Sequence, residues 1–273
     1  MTRRDSYDDA RLSPDAVTTG HGFSDAGGAT GGGPPRVEPH NRVLRALPAE
    51  EYARLLPYLE PCAVASLAVL ADAERPLRHA YFPETALISV LRRMRDGTLI
   101  EAYAVGSDGM VGIPNLLGDP GSPAGIVLGE VPGMCRRIAL GTLRELLPSL
   151  PAFEALAGRL LLALLDEVQQ AVACNSLHTV EQRCARWLLQ THDRVGGEEL
   201  LLTHEVLAQM LAVRRAGVTV AAGALQKAGL ITYSRGRVRI LDRAGLEAAA
   251  CECYAVVRAH VGRLLGEQIA ASD

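Results

Sequence analysis

One segment of the chain combines closely spaced arginines with a net positive charge, and this combination indicates which kind of molecule it could contact. The segment from Leu200 to Asp242 reads LLLTHEVLAQMLAVRRAGVTVAAGALQKAGLITYSRGRVRILD, with an Arg-Arg pair in its middle and three more arginines around a glycine. Residues 174–245 hold ten Arg or Lys and six Asp or Glu, a net charge of about +4, whereas the whole chain carries −3. A basic segment on an acidic chain is typical of contact with nucleic-acid phosphates.

Local sequence signals predict the elements that would position these arginines. A helix capped by Thr203 is followed by a second helix over about 213–228, which ends at a glycine. Two strands are predicted over 230–234 and 237–241, joined by an Arg235-Gly236 turn. This order is that of a winged helix-turn-helix, whose second helix lies in the major groove of DNA.

The outward face of the second helix predicts how DNA would be read. Arg215 is expected on a guanine edge, and Ala216 and Val220 are expected on thymine methyl groups. The other basic residues are expected on phosphates, which position a protein without specifying a sequence. The predicted DNA contacts are Thr203, Arg214, Arg215, Ala216, Thr219, Val220, Gly223, Lys227, Arg235, Arg237 and Arg239.

The rest of the chain divides into three parts. Residues 1–40, which include GGATGGGPP, are predicted to be a disordered tail. Over 41–147 short apolar segments alternate with glycine-rich turns, and Asp96-Gly97 predicts a hairpin, which together indicate an antiparallel β-roll. Residues 175–273 complete the DNA-binding domain, with a final helix over 244–267.

A long apolar helix is predicted over 148–174, between the roll and the DNA-binding domain. Its apolar stripe is wider than one contact needs, which predicts burial against the roll on one side and against a partner helix on the other. A helix buried wholly within one chain is the alternative. The residues predicted to form the dimer contact are Phe153, Leu156, Leu160, Leu161, Leu164, Leu165 and Val168.

This order of elements resembles the CRP/FNR (cyclic-AMP receptor protein / fumarate-nitrate regulator) superfamily of bacterial transcription factors. The resemblance covers about residues 41–255. It implies an α+β fold with a cupin-like β-roll similar to a cyclic-nucleotide-binding domain, a dimerisation helix and a C-terminal winged helix-turn-helix. The segments that carry it are HAYFPETALISVL (79–91), DGTLIEAYAVGSDGMVGIPNLLG (96–118), QRCARWLLQTHDR (182–194) and ILDRAGLEAAACECY (240–254).

The function implied is a cytoplasmic homodimeric regulator that reads a near-palindromic operator and has no enzyme activity. Its implied partners are double-stranded DNA, a second copy of the chain, RNA polymerase and an effector of unknown identity. No cofactor or metal is expected. No membrane contact is expected either, because no apolar run reaches the ~18 residues of a membrane helix. Two alternatives stand beside it: a constitutive DNA-binding dimer whose degenerate roll only makes protein contacts, and a cupin-type metal enzyme. The enzyme would need several histidines, but His79 is the only one between Cys62 and Leu140.

Departures from the family pattern limit what the roll can bind. Gly112-Ile113 stands where cyclic-nucleotide binders have a Gly-Glu pair, and residues 122–131 (SPAGIVLGEV) contain no arginine for a phosphate. Cyclic-nucleotide binding is therefore not expected. In the inter-helix turn Ala212 replaces a common glycine, which would cost about 1 kcal/mol in a left-handed backbone.

The six cysteines include no C-x-x-C pair, and free, incidental thiols are expected for all of them. Cys251 and Cys253 would point to different sides of a helix and chelate poorly.

Overall fold

The structure is a computed structural model, and it describes residues 17–19, 39–118 and 125–266. Two four-stranded antiparallel sheets form the N-terminal half, as predicted for a β-roll. One sheet has the order β1 (Val17–Thr19), β2 (Glu60–Val64), β8 (Gly133–Ala139) and β4 (His79–Pro83). The other has the order β3 (Val69–Ala71), β7 (Ile126–Val131), β5 (Leu87–Arg93) and β6 (Leu99–Val105).

The predicted hairpin joins β5 to β6. Gly97 has a φ of 87°, a left-handed conformation that glycine adopts without steric cost. Asp96 Oδ1 accepts a hydrogen bond from the Thr98 amide at 3.0 Å, which fixes the turn from the other side. Short helices flank the roll, namely α1 (Arg42–Arg45), α2 (Ala49–Leu55), α3 (Ile113–Leu117) and α4 (Leu140–Leu146).

The long helix α5 (Pro151–Leu177) starts against the roll and then leaves it. Its first amides are capped by a distant side chain, because the buried carboxylate of Glu51 accepts from the amides of Ala152 and Phe153 at 2.9 Å each. An acceptor from another element therefore fixes where α5 begins.

The apolar residues of α5 that were predicted to form a dimer contact are mostly covered by the chain itself. Phe153, Leu156 and Leu160 are buried in the roll core, so they do not form part of an exposed contact surface. Leu161 packs on the edge of that core, and Leu164 and Val168 are half-buried. Of the residues predicted for the dimer contact, Leu165 alone is largely exposed, at 53 %.

The C-terminal half begins with α6 (Val180–Val195) and contains the predicted helix-turn-helix and wing. The single final helix predicted over 244–267 is wrong, because the chain bends at 250–252 and makes two helices. The further elements are β9 (Leu200–Leu201), α7 (His204–Met210), α8 (Arg215–Lys227), β10 (Ile231–Ser234), β11 (Arg237–Ile240), α9 (Arg243–Ala249) and α10 (Cys253–Leu264).

The C-terminal half packs directly on the sheet of β5, β6 and β7, a contact that the sequence did not predict. Leu87, Leu91 and Leu128 of this sheet share one apolar core with Trp187 and Leu188 of α6. The two halves are therefore joined by a shared apolar core as well as by the helical connection.

A buried polar cluster lies within this contact. The Trp187 indole donates to Glu101 at 3.2 Å, and the Ser89 hydroxyl lies 2.8 Å from Glu101 and also contacts Glu130. One hydroxyl proton cannot serve both carboxylates, so one carboxyl group must carry a proton of its own. Burial raises the pKa of Glu101 and, together with the charge of Glu101, raises the pKa of Glu130 well above its usual range.

A buried arginine makes the second link between the halves. Arg194 at the end of α6 binds Asp108 at 3.0 Å and Glu167 of α5 at 2.8 Å. Burial acts to lower the pKa of Arg194, but the two carboxylates outweigh it and the net direction is upward. The roll, the long helix and the C-terminal half thus meet at one ion-paired group.

Most of the predicted N-terminal tail lies outside the described residues. Its described part includes β1, which pairs with Cys62–Val64, although no strand was predicted there. Among the described residues no single helix is long and apolar enough to cross a membrane, and one pair bent by 118°, Leu140–Ser149 with Pro151–Leu177, passes that test of length and composition together.

Candidate nucleic-acid interface

The helix-turn-helix is built on α6. Thr179 and Gln182 form a capping box at its start, which fixes where the helix begins after α5. One turn later the buried guanidinium of Arg183 donates to the carbonyl of Leu211, in the turn between α7 and α8. α6 therefore holds the turn from behind by a charge-assisted hydrogen bond.

The turn itself contains the strained residue that the sequence suggested. Thr203 caps α7 as predicted, since its hydroxyl accepts from the Val206 amide at 3.2 Å. Ala212 has a φ of 50°, so the left-handed backbone is present and the alanine is strained there. The Val213 amide then donates to the Ala208 carbonyl at 3.0 Å, which closes the turn before α8.

α8 buries one face and presents the other. Val218, Ala221, Ala222 and Leu225 are at most 3 % exposed, whereas Val220 on the opposite side is 74 % exposed. The buried residues recur at steps of three and four along the helix, which places them on one face and leaves the opposite face to solvent. The predicted contacts on and beside α8 are all exposed and lie along that side, namely Arg214, Arg215, Ala216, Thr219, Val220, Gly223 and Lys227.

His204 is a part of this surface that the sequence analysis missed. Its Nδ1 lies 3.3 Å from the Thr219 hydroxyl, and its ring packs edge-on against Tyr233 at 4.5 Å between centroids. Burial, and then the charge of Arg215, lower the pKa of His204, so the ring is neutral near pH 7. Thr219 also donates to the Arg215 carbonyl at 3.1 Å, so its hydroxyl is already engaged within the protein.

The wing is the predicted hairpin with one added strand. Arg235 and Gly236 have φ values of 52° and 75°, the pair of left-handed residues that a type I′ turn requires. β11 also pairs with β9, a two-residue strand too short to show a periodic pattern.

Two of the predicted phosphate contacts are paired within the wing. Arg237 binds Glu199 at 2.5 Å and Arg239 binds Glu198 at 3.0 Å, and both arginine side chains are more than half exposed. Exposed ion pairs of this kind contribute about 0–1 kcal/mol, so a phosphate can displace either glutamate at little cost.

Other basic residues of the segment are buried or ion-paired. Fewer positive charges are therefore available to a polyanion than the net charge of the segment suggests. Arg183 and Arg194 are buried, and Arg243 binds Asp193 and Glu247 at 2.7 Å each. Arg214, Arg215 and Arg235 are exposed and have no ion-pair partner among the described residues.

Potential metal ligands meet at a different place, beside the junction of α5 and α6. The ligand atoms of Cys174, His178, Cys251 and Cys253 all lie within 4.8 Å of one another. The expectation that Cys251 and Cys253 point apart is wrong, because Cys251 lies between α9 and α10 and outside either helix.

Comparison with known proteins agrees with this geometry. Residues 182–249 match the family model of the Crp-like helix-turn-helix domain. A CRP-family transcriptional regulator from Thermus thermophilus is 23 % identical over 69 % of this chain and 95 % of its own, with a TM-score of 0.57. FixK2 from Bradyrhizobium japonicum is 13 % identical over 71 % and 98 %, with a TM-score of 0.60. The c-di-GMP-responsive global regulator CLP from Xanthomonas campestris is 17 % identical over 71 % and 99 %, with a TM-score of 0.57.

No curated protein sequence matches the chain. The solved structures establish the fold, and the family model establishes the type of the C-terminal domain. The chain therefore has the fold of the CRP/FNR regulators and carries a Crp-like helix-turn-helix domain at residues 182–249.

Proposed function

We propose that this protein is a homodimeric transcription regulator that reads DNA through α8. The observation that carries the proposal is the exposed side of α8, which starts with Arg214 and Arg215 and continues through Val220 at 74 % exposure. An apolar side chain on this exposed, arginine-flanked side suits contact with thymine methyl groups in a major groove.

The proposed contacts separate into base-reading and positioning groups. Arg215 starts α8 and reads a guanine edge, while Ala216 and Val220 touch thymine methyls. Arg237 and Arg239 exchange Glu199 and Glu198 for phosphates when DNA arrives. His204 acts indirectly, since it holds Thr219 and thereby the start of α8.

A dimer through α5 completes the proposed operator contact. Leu162, Leu165 and Val172 are 63 %, 53 % and 64 % exposed and are spaced by three and seven residues, the spacing of a coiled-coil seam. This seam differs from the one predicted from the sequence, which is mostly buried against the roll. Two chains packed along it would present two α8 helices to half-sites about one helical turn apart, roughly 34 Å.

The roll is proposed to act without a cyclic nucleotide. Gly112 starts α3 with a φ of 102°, and Ile113 behind it is buried, so this corner offers no carboxylate to a ribose. The described part of the arginine-free segment, Ile126–Val131, is a buried strand.

A constitutive DNA-binding dimer is the second candidate. The apolar core shared by the roll and α6 favours it, because that core fixes the C-terminal half on the roll. Operator binding by the purified protein, measured with and without a small-molecule fraction of cell extract, separates the two candidates. A gated regulator changes its affinity when the fraction is added, and a constitutive one does not.

The recognition proposal is tested by comparing two arginine variants on a panel of operators at several salt concentrations. Arg215→Ala should cost about 1–3 kcal/mol on the best operator and much less on random DNA, flattening preference at one base pair per half-site. Arg237→Ala should weaken specific and random DNA about equally and reduce the salt slope by about one unit for each phosphate that the variant no longer binds. If Arg215→Ala lowers affinity uniformly and every base preference survives, α8 does not read DNA as proposed.

A further inference from the structure

A cluster of three thiols and one imidazole lies outside the DNA interface, at the junction of four helices. Cys174 comes from the last turn of α5, and His178 is the first of the two residues between α5 and α6. Cys251 and Cys253 come from the corner between α9 and α10. Residues 77 positions apart in the sequence are therefore brought together by the fold.

The grouping of these buried thiols is unusual for incidental cysteines. Cys174, Cys251 and Cys253 are 0 %, 3 % and 1 % exposed, yet they form a cluster of their own, separate from both large apolar cores. A free cysteine usually behaves as a small apolar residue inside a core, as Cys184 does in the core of the DNA-binding half. Three buried thiols grouped apart from both cores need a different explanation.

The distances in the cluster suit tetrahedral coordination. With Zn–S near 2.3 Å and Zn–N near 2.05 Å, a tetrahedral ion separates two sulfurs by about 3.8 Å and a sulfur from a nitrogen by about 3.6 Å. Cys174 Sγ lies 3.5 Å from Cys251 Sγ, and Cys253 Sγ lies 3.6 Å from His178 Nδ1. The other pairs of ligand atoms lie within 4.8 Å, so shifts of up to about 1 Å would complete the geometry.

Neighbouring polar groups hold the ligands as metal sites require. His178 Nε2 donates to the Glu252 carboxylate at 3.0 Å, which leaves Nδ1 facing the thiols. A carboxylate behind a histidine ligand fixes the ring and makes the nitrogen a better donor. Gln170 Nε2 donates to Cys253 Sγ at 3.0 Å, a hydrogen bond that a thiolate accepts better than a thiol.

We propose that Cys174, His178, Cys251 and Cys253 bind one thiophilic divalent cation, Zn²⁺, in a closed structural site. Binding releases the three thiol protons to solvent and uses the neutral imidazole at Nδ1. Four protein ligands leave no position for substrate, so the ion is structural and not catalytic. It ties the α9–α10 corner to the junction of α5 and α6, and so fixes how the DNA-binding half leaves the long helix.

The first test is the metal content of the full-length protein, purified under reducing conditions without chelator and measured by mass spectrometry. About one zinc per chain is expected. Cys174→Ser and Cys253→Ser should lose it, whereas Cys184→Ser, the matched control for a buried cysteine outside the site, should keep it. Glu252→Gln should weaken zinc binding about 10-fold to 100-fold in a competition with a chromophoric chelator, because the histidine loses its orienting partner.

A second measurement keeps the proposal testable if the serine variants do not fold. Cobalt added to the chelator-treated wild-type protein should give the visible bands of a tetrahedral ion and the ultraviolet charge-transfer bands of cobalt-bound thiolate. The proposal is overturned if the wild-type protein takes up neither zinc nor cobalt stoichiometrically, or if Cys174→Ser binds as much as Cys184→Ser. A Cys174–Cys251 disulfide in the protein purified under reducing conditions would also overturn it.

Discussion

Replacing Gly106 by alanine should disrupt the contact between the end of α6 and the loop that follows β6, and so destabilise the protein. Gly106 follows β6 and lies against the end of α6, where an added Cβ would stand 2.3 Å from Arg194 Cβ and 3.0 Å from the Arg194 carbonyl oxygen. These atoms cannot rotate away as the tip of a long side chain can. The loop and α6 must therefore move apart by about 1 Å to restore an ordinary contact.

The cost follows from what this movement breaks. The Ser107 amide donates to the Arg194 carbonyl at 3.0 Å, and Asp108 binds the Arg194 guanidinium at 3.0 Å, so both bonds stretch together. Overpacking alone costs about 1–3 kcal/mol, and losing a partner of a buried charge costs about 3–5 kcal/mol. Because Glu167 still binds Arg194, we expect the free energy of unfolding to fall by about 2–4 kcal/mol.

Urea unfolding of the variant and of Gly141→Ala measures this effect. Gly141 lies in α4, where an added Cβ meets no atom within 4 Å, so that variant should be neutral or more stable by up to about 1 kcal/mol. A change below about 0.5 kcal/mol for Gly106→Ala would refute the contact between loop and helix.

Three further outcomes are expected. Leu162→Asp combined with Leu165→Asp should give monomers in sedimentation at micromolar concentration. The monomer should lose little stability, because both side chains are exposed, and a dimer that persists would contradict the α5 seam. Ala212→Gly should raise the free energy of unfolding by up to about 1 kcal/mol, because glycine relieves the strain of the left-handed alanine. The control Ala259→Gly, on the exposed face of α10, should lower the free energy of unfolding by about 1 kcal/mol. An equal loss of stability in both variants would contradict the strain at Ala212. Glu130 keeps its proton in the folded state at a pH where the unfolded chain has lost it, so stability should fall as pH rises above the unfolded pKa of about 4.3, by up to about 1.4 kcal/mol per pH unit. Glu130→Gln should flatten this slope in thermal unfolding, and an unchanged slope contradicts the raised pKa.

Local sequence signals predicted the DNA-binding module well. Thr203, Gly229 and the Arg235-Gly236 turn each fix a local backbone conformation, and such signals depend on a few neighbouring residues. The face of α8 was predictable for the same reason, since a helical period of 3.6 decides which residues are exposed together.

Contacts between distant segments could not be read in the same way. The stripe of α5 predicted two contact surfaces, but periodicity cannot say that Leu156 packs in the roll core while Leu162 faces outward. The pairing of Arg194 with Asp108 and the approach of Gly106 join segments about ninety residues apart. No local pattern marks them.

The cysteine cluster shows how one wrong boundary changes a functional prediction. A continuous final helix would direct Cys251 and Cys253 apart, and on that basis no metal site was expected. The break at 250–252 puts Cys251 outside both helices, after an extended Ala250, and both sulfurs then lie within 4.8 Å of the ligand atoms of Cys174 and His178.

The central claim, that a dimer of this chain reads DNA through α8, is tested most directly by selecting binding sites from random duplex DNA with the purified full-length protein. We expect an enriched near-palindromic motif with half-site centres about 10 base pairs apart, whose preference at one position per half-site disappears in Arg215→Ala. Enrichment of no motif, or of the same motif by wild type and Arg215→Ala alike, would contradict it.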